Sequence, residues 1–193
     1  FRDVNLHYAS QEEGFLFHAV DWDQDGDLDL AVCAASYNST QLRVDFWERK
    51  TDETLRIRHS LPSSVLPSRN QVRYCDCSPQ LLDWDGDGDL DLLLGICFDK
   101  VHFMEALGFL DFKTNSTSAS PFGEILFERA LLQAVDWDRD GDTDVVISDA
   151  AGPRVFDHLA SGRLKEREVE TWLHVRWYLK HFLFRCVPLT VYR

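Results

Sequence analysis

The sequence predicts an all-β fold, laid out as an array of about three four-stranded units followed by a C-terminal tail of irregular or helical structure. Three observations lead there. One acidic nine-residue segment recurs as DWDQDGDLD at 21–29, DWDGDGDLD at 83–91 and DWDRDGDTD at 136–144. Each copy lies between short apolar runs of strand length. After each hairpin so implied, enough strand-like sequence remains for two further strands.

The upstream runs are FLFHAV, PQLL and LLQAV, and the downstream runs are LDLAVCAA, LDLLLGIC and TDVVISDA. Each unit therefore begins as strand, acidic loop, strand. In the first unit, LRVDFWERK and TLRIRHSL follow, separated by the polar turn TDE; in the third, RVFDHL and RLKEREV follow around ASG. The second offers KVHFMEAL and GFLDFK with a shorter connection. The loops begin at residues 21, 83 and 136, intervals of 62 and 53 residues, which is the spacing of solenoids, propellers or arrays. Four strands per unit describe a propeller blade. The expected units are about 12–64, 70–120 and 125–169, a propeller-like segment within 1–169, with 170–193 as the tail.

The loops carry the chemistry. Asp21, Asp23 and Asp25 stand at positions 1, 3 and 5, where their side chains can converge on one point if the backbone curls. Gly26 at position 6 permits the positive φ of a sharp turn. Asp27 at position 7 offers its backbone carbonyl, and Asp29 at position 9 adds a carboxylate, directly or through water. The second copy repeats the pattern with Asp83, Asp85, Asp87, Asp89 and Asp91, the third with Asp136, Asp138, Asp140, Asp142 and Asp144. Oxygen-only loops suit a hard divalent cation, and flexible coordination favours Ca²⁺, about three ions in all, over strictly octahedral Mg²⁺. No His or Cys lies within a loop, which speaks against zinc. An EF-hand needs a glutamate at position 12, where this chain has Val32, Leu94 and Ile147. Trp22, Trp84 and Trp137 fall at position 2, pointing away from the ion, and are expected to pack between neighbouring units.

The loops and their spacing resemble the FG-GAP/VCBS repeat family, the blades of integrin-α-like β-propellers, whose Asp-x-Asp-x-Asp-Gly-x-x-Asp loop matches all three copies. Gly14-Phe15 and Phe122-Gly123 are loosely similar to the family's Phe-Gly element, and the resemblance covers roughly residues 12 to 169. It implies a calcium-stabilised propeller used in adhesion, ligand binding or scaffolding, usually outside the cytosol, with a protein or glycan partner. Family propellers close with about seven blades. Three blades beginning at Phe1 are therefore expected to belong to a longer chain, to complete themselves by self-association, or to fold as an open array.

Composition sets further bounds. The 193 residues are 45% hydrophobic and carry a net charge of −13, and the three loops alone hold 15 of the 33 acidic residues. Three bound dications would bring the net charge to about −7. No basic patch flanks the repeats, which disfavours nucleic acid. Cys33 and Cys97 sit in apolar strands and are expected as buried thiols. Cys75 or Cys77 could pair with another cysteine in an oxidising compartment, and Cys186 brings the count to an odd five. Sequons at Asn38 and Asn115, and the weak calcium sites tolerated by extracellular modules, point to an extracellular or cell-surface setting, although no signal peptide is visible. The tail ETWLHVRWYLKHFLFRCVPLTVYR is interrupted by His174, Arg176, Lys180, His181 and Arg185 and is no membrane span; its readings are an amphipathic helix, which could lie on a membrane surface, or a strand pair covering an exposed edge. The rival functional class is a calcium-dependent polysaccharide lyase or hydrolase. Its acid or base would have to come from outside the loops, and none of His7, His18, His59, His102, His158, His174 or His181 lies in a recognisable catalytic motif.

Overall fold

The computed structural model describes residues 13–36, 42–67, 77–96, 99–114, 121–123, 125–127, 130–149, 152–159 and 161–167. The described chain is all-β. The first sheet is a meander of β1 (Glu13–Val20), β2 (Asp29–Ser36), β3 (Leu42–Arg49) and β4 (Leu55–Ser60). The second is a meander of β5 (Cys77–Leu82), β6 (Asp91–Ile96), β7 (Asp99–Gly108) and β8 (Asp111–Thr114), and the two-residue β9 (Leu126–Phe127) also pairs with β7. The third comprises β10 (Leu131–Val135), β11 (Asp144–Asp149), β12 (Gly152–His158) and β13 (Leu164–Glu166). All pairs are antiparallel, and the three sheets do not join into a closed ring among the described residues. The tail, both sequons and Cys75, Cys97 and Cys186 lie outside the described residues.

The first strand of each sheet stands beside that of the next, with β5 between β1 and β10. Two cores result. Trp22, Val44, Phe46, Leu92, Leu94, Met104 and Phe112 fill the space between the first and second sheets. Trp84, Leu93, Val101, Phe127, Ile147 and Phe156 fill the space between the second and third. Strand β6 divides its side chains by the two-residue period of a strand, Leu92 and Leu94 to one core and Leu93 to the other. A strand buried on both faces should read as an unbroken apolar run, and after Asp91 the run LLLGI at 92–96 does. Gly95 completes that strand because a Cβ there would collide with the Ala130 carbonyl oxygen at the entrance to β10.

The sheets are also linked by a polar contact that recurs in register. Three residues before each of the first two loops, a side chain accepts the N–H of the residue two before the next loop. Leu81 N–H donates to His18 Nδ1 at 3.0 Å, and Ala134 N–H donates to Gln80 Oε1 at 3.3 Å. Leu132 N–H donates to Ser78 Oγ at 3.2 Å, adding a second link across the later junction. These bonds satisfy strand edges that no neighbouring strand pairs with.

A covalent link reinforces the first junction, and it corrects the expectation that Cys33 is a free buried thiol. Cys33 of β2 and Cys77 of β5 form a disulfide, with their Cα atoms 5.7 Å apart. The strand register carries both into the same core, which spacing along the sequence could not reveal. The bond closes a loop of 44 residues, and chain-entropy arguments assign such a closure about 4 kcal/mol. The tryptophans likewise divide. Trp22 contacts Phe46 and, across the junction, Phe109, while Trp84 stacks on His158 of the third sheet at 4.2 Å. Trp137 does not pack between units: it is 41% exposed, because among the described residues no fourth sheet follows it.

The His18 link has a pH signature. Burial lowers the His18 pKa from 6.5 to about 4, so the folded chain resists a proton that the unfolded chain accepts. Its contribution is complete above pH 6.5 and is lost as pH falls towards 4, amounting to up to about 3 kcal/mol. His18→Asn keeps an acceptor near Nδ1 and removes the titration. Urea melts between pH 7 and pH 4 should show wild type losing more stability on acidification than the variant; parallel losses would contradict the assignment.

Candidate metal centre

Each acidic loop forms the tip of the hairpin joining the first two strands of its sheet, for Val20 pairs with Asp29, Leu82 with Asp91 and Val135 with Asp144. The curl is held by the loop's own carboxylates. Asp21 accepts the N–H groups of Asp25 (3.1 Å) and Gly26 (3.0 Å). Asp83 likewise accepts those of Gly86 (2.8 Å) and Gly88 (3.1 Å). At position 5, Asp25, Asp87 and Asp140 each accept the N–H two residues on, the Asx turn that aspartate favours. Gly26, Gly88 and Gly141 take φ of 93°, 95° and 100°, the left-handed conformation expected at position 6. Position 4 is left-handed as well, at Gln24, Gly86 and Arg139. Only the second copy signals this with a glycine, so the sequence hid it.

The curl brings acids together in all three loops. One carboxylate oxygen from each of Asp21, Asp23 and Asp29 lies within 4.8 Å of the others, and the same holds for Asp83, Asp85 and Asp87 and for Asp136, Asp138 and Asp144. Oxygens on opposite sides of a Ca²⁺ ion, each about 2.4 Å from it, would be about 4.8 Å apart, so the spacing suits one shared cation. Positions 1 and 3 enter every cluster. Asp25, Asp91 and Asp140 do not enter one. At position 7, Asp27 meets Arg49 at 3.4 Å, Asp89 is exposed, and Asp142 is partly buried.

Position 9 has a role that reading the loop alone missed. Asp29, Asp91 and Asp144 are almost completely buried. Each uses Oδ1 to accept an N–H from the third strand of its sheet: Arg49 at 2.7 Å, Ala106 at 2.8 Å and His158 at 2.9 Å. In the later copies Oδ2 accepts the backbone N–H of the position-2 tryptophan, from Trp84 at 3.2 Å and Trp137 at 3.0 Å. Position 9 thus ties loop, hairpin and third strand together. Its sequence signal was recurrence at the start of a buried strand, where an acid needs partners.

In the first loop, Asp29 Oδ2 is buried and, among the described residues, has no hydrogen-bond partner. A buried, unsatisfied carboxylate oxygen is costly, and it belongs to the Asp21–Asp23–Asp29 cluster. Burial, opposed by the Arg49 N–H, pushes Asp29 up to about 6. Burial does the same to Asp91, also to about 6, against the N–H groups of Ala106 and Trp84. Asp23 is raised by burial and by neighbouring Asp25, and Asp142 by burial and Asp140. Without a cation these sites discourage their own ionisation; a dication reverses that balance. The residues present therefore fit an oxygen-bound metal ion.

The scan against protein-family models finds no match to this chain, and neither does the search of curated proteins.

Two kinds of aspartate should separate on mutation. In EDTA, Asp91→Ala and Asp144→Ala should each cost about 2–3 kcal/mol of unfolding free energy, because they strand buried N–H groups. Asp85→Ala should stay within about 0.5 kcal/mol of wild type. Urea denaturation measures both, and equal losses would show that position 9 is not the anchor.

Proposed function

We propose that the three loops bind Ca²⁺ and that the chain is an open run of propeller-like blades of the FG-GAP/VCBS kind, serving as a non-enzymatic module for adhesion, ligand binding or scaffolding. The observation that carries the reading is the acid cluster at every hairpin tip, completed in the first loop by the unpartnered Asp29 oxygen. The cation would be held by carboxylates at positions 1 and 3, joined by position 9 in the first and third loops and by position 5 in the second. When bound it supplies charge neutralisation. The chain's own part is to hold the cage open through the Asx turns and the buried aspartate, and to present rigid tips on one edge of successive sheets.

The disulfide supports an extracellular or cell-surface setting, because such bonds persist in oxidising compartments, where calcium is also abundant. No helix among the described residues is long and apolar enough to cross a membrane. The partner would be a protein or glycan meeting the loop edge. Further blades, from a longer chain or from self-association, would cover the outer sheets, where Phe17 of β1 is 52% exposed.

Metal binding to sites absent from the unfolded chain appears as stability. Millimolar CaCl₂ should raise the melting temperature by several degrees over EDTA, and by more than equal MgCl₂. A melt indifferent to both ions would contradict the reading.

A further inference from the structure

We infer that the third loop carries a built-in competitor for its cation, the Arg167 guanidinium, so that this loop fills only at a higher metal concentration than the other two. The inference rests on the reading of the loops as divalent-cation sites.

Arg167 follows β13, and its N–H donates to the Val155 carbonyl at 2.9 Å, which fixes its backbone against β12. Its side chain then spans two acids. Nε donates to Asp157 Oδ1 at 2.7 Å, and Nη2 donates to Asp138 Oδ2 at 2.5 Å. Asp138 stands at position 3 and belongs to the Asp136–Asp138–Asp144 cluster. A permanently charged guanidinium thus already holds one oxygen of a carboxylate that belongs to the cluster. Arg167 and Asp138 are each about one-third exposed (33% and 32%), so the contact is neither fully screened nor locked in the core.

Neither other loop is arranged in this way. Beside the first loop, Arg49 meets Asp27 at position 7, where the backbone carbonyl is the expected donor to the ion. In the first sheet the residue across from Phe46 is His59, which packs on that ring at 6.1 Å instead of reaching the loop. Among the described residues, no basic side chain pairs with Asp83, Asp85 or Asp87. At position 3 of the third loop Asp138 is already engaged by a cation, whereas its counterparts Asp23 and Asp85 pair with no basic side chain among the described residues. A dication entering the third loop has to share the Asp138 carboxylate with Nη2 or displace it, and either one costs affinity, by repulsion between the two cations or by loss of the ion pair. Arg167 can remain attached to Asp157 meanwhile, so the exchange needs no unfolding of β13.

The test uses the full chain, freed of divalent ions and titrated with CaCl₂. The amide resonances of Gly26, Gly88 and Gly141 report the three loops separately. In wild type the Gly141 signal should reach its midpoint last. Arg167→Gln should lower that midpoint roughly tenfold, the loss of about one charge-assisted hydrogen bond, and leave Gly26 and Gly88 unchanged. A Gly141 midpoint equal to that of Gly26, or one indifferent to the substitution, overturns the inference. Should the variant fail to fold, the wild-type Arg167 Nε–Hε resonance decides: it should move together with Gly141 and not with Gly26, and independence from Gly141 overturns the inference. No response at any glycine would sink the metal-site reading and this inference with it, whereas three equal midpoints would sink only the inference.

Discussion

Everything in this fold hangs on one carboxylate per sheet, the aspartate that ends each acidic loop and begins the second strand. Asp29, Asp91 and Asp144 are buried where an unpaired charge would be prohibitive, and each is tied to the backbone of the third strand. That tie fixes the hairpin against the rest of the meander and thereby decides where the remaining acids stand. Those acids repel one another by between about 1 and 4 kcal/mol per charged pair, depending on how much water screens them. The backbone N–H groups turned inward by the Asx turns offset part of this. In the third loop the Arg167 guanidinium offsets more of it, and a bound metal ion would offset the rest.

The sheets stack by a different principle, which complements the first. The first two strands of the middle sheet are buried on both faces, β6 largely with apolar side chains and β5 with Ser78 and Gln80 among its buried residues, and side chains make the contacts between neighbouring sheets. His18, Gln80 and Ser78 supply acceptors to the first strand of the following sheet, and the disulfide between Cys33 and Cys77 fastens one of the two junctions. The acidic loops all lie beyond the same ends of these first strands. Hairpin tips and neighbouring sheets together yield three acidic turns built by repetition.

Much of this was legible along the sequence because it is local. The Asp-x-Asp-x-Asp-Gly spacing announced the curl, the glycines at 26, 88 and 141 announced its handedness, and the apolar runs beside each loop announced the hairpins. Features that depend on the third dimension were not legible. The left-handed residues at Gln24 and Arg139 carry no glycine. The Cys33–Cys77 bond joins strands of different sheets, so a cysteine in an apolar run looked like a core thiol. The anchoring role of position 9 needs the third strand, 14 to 20 residues downstream, to arrive beside it. Trp137 shares its motif with Trp22 and Trp84 yet lacks their burial, because packing belongs to the neighbouring sheet and not to the motif. Arg167 was hidden in an unremarkable RLKEREV segment, far from the loop it touches.

The central claim is that the folded chain assembles oxygen cages that hold metal ions. Its most direct test is a count of calcium bound to the purified chain, stripped of divalent ions and then dialysed to equilibrium against millimolar Ca²⁺, with protein and metal measured independently. A stoichiometry approaching one ion per loop is the expected result. A folded chain that retains no calcium above the dialysis buffer would contradict it.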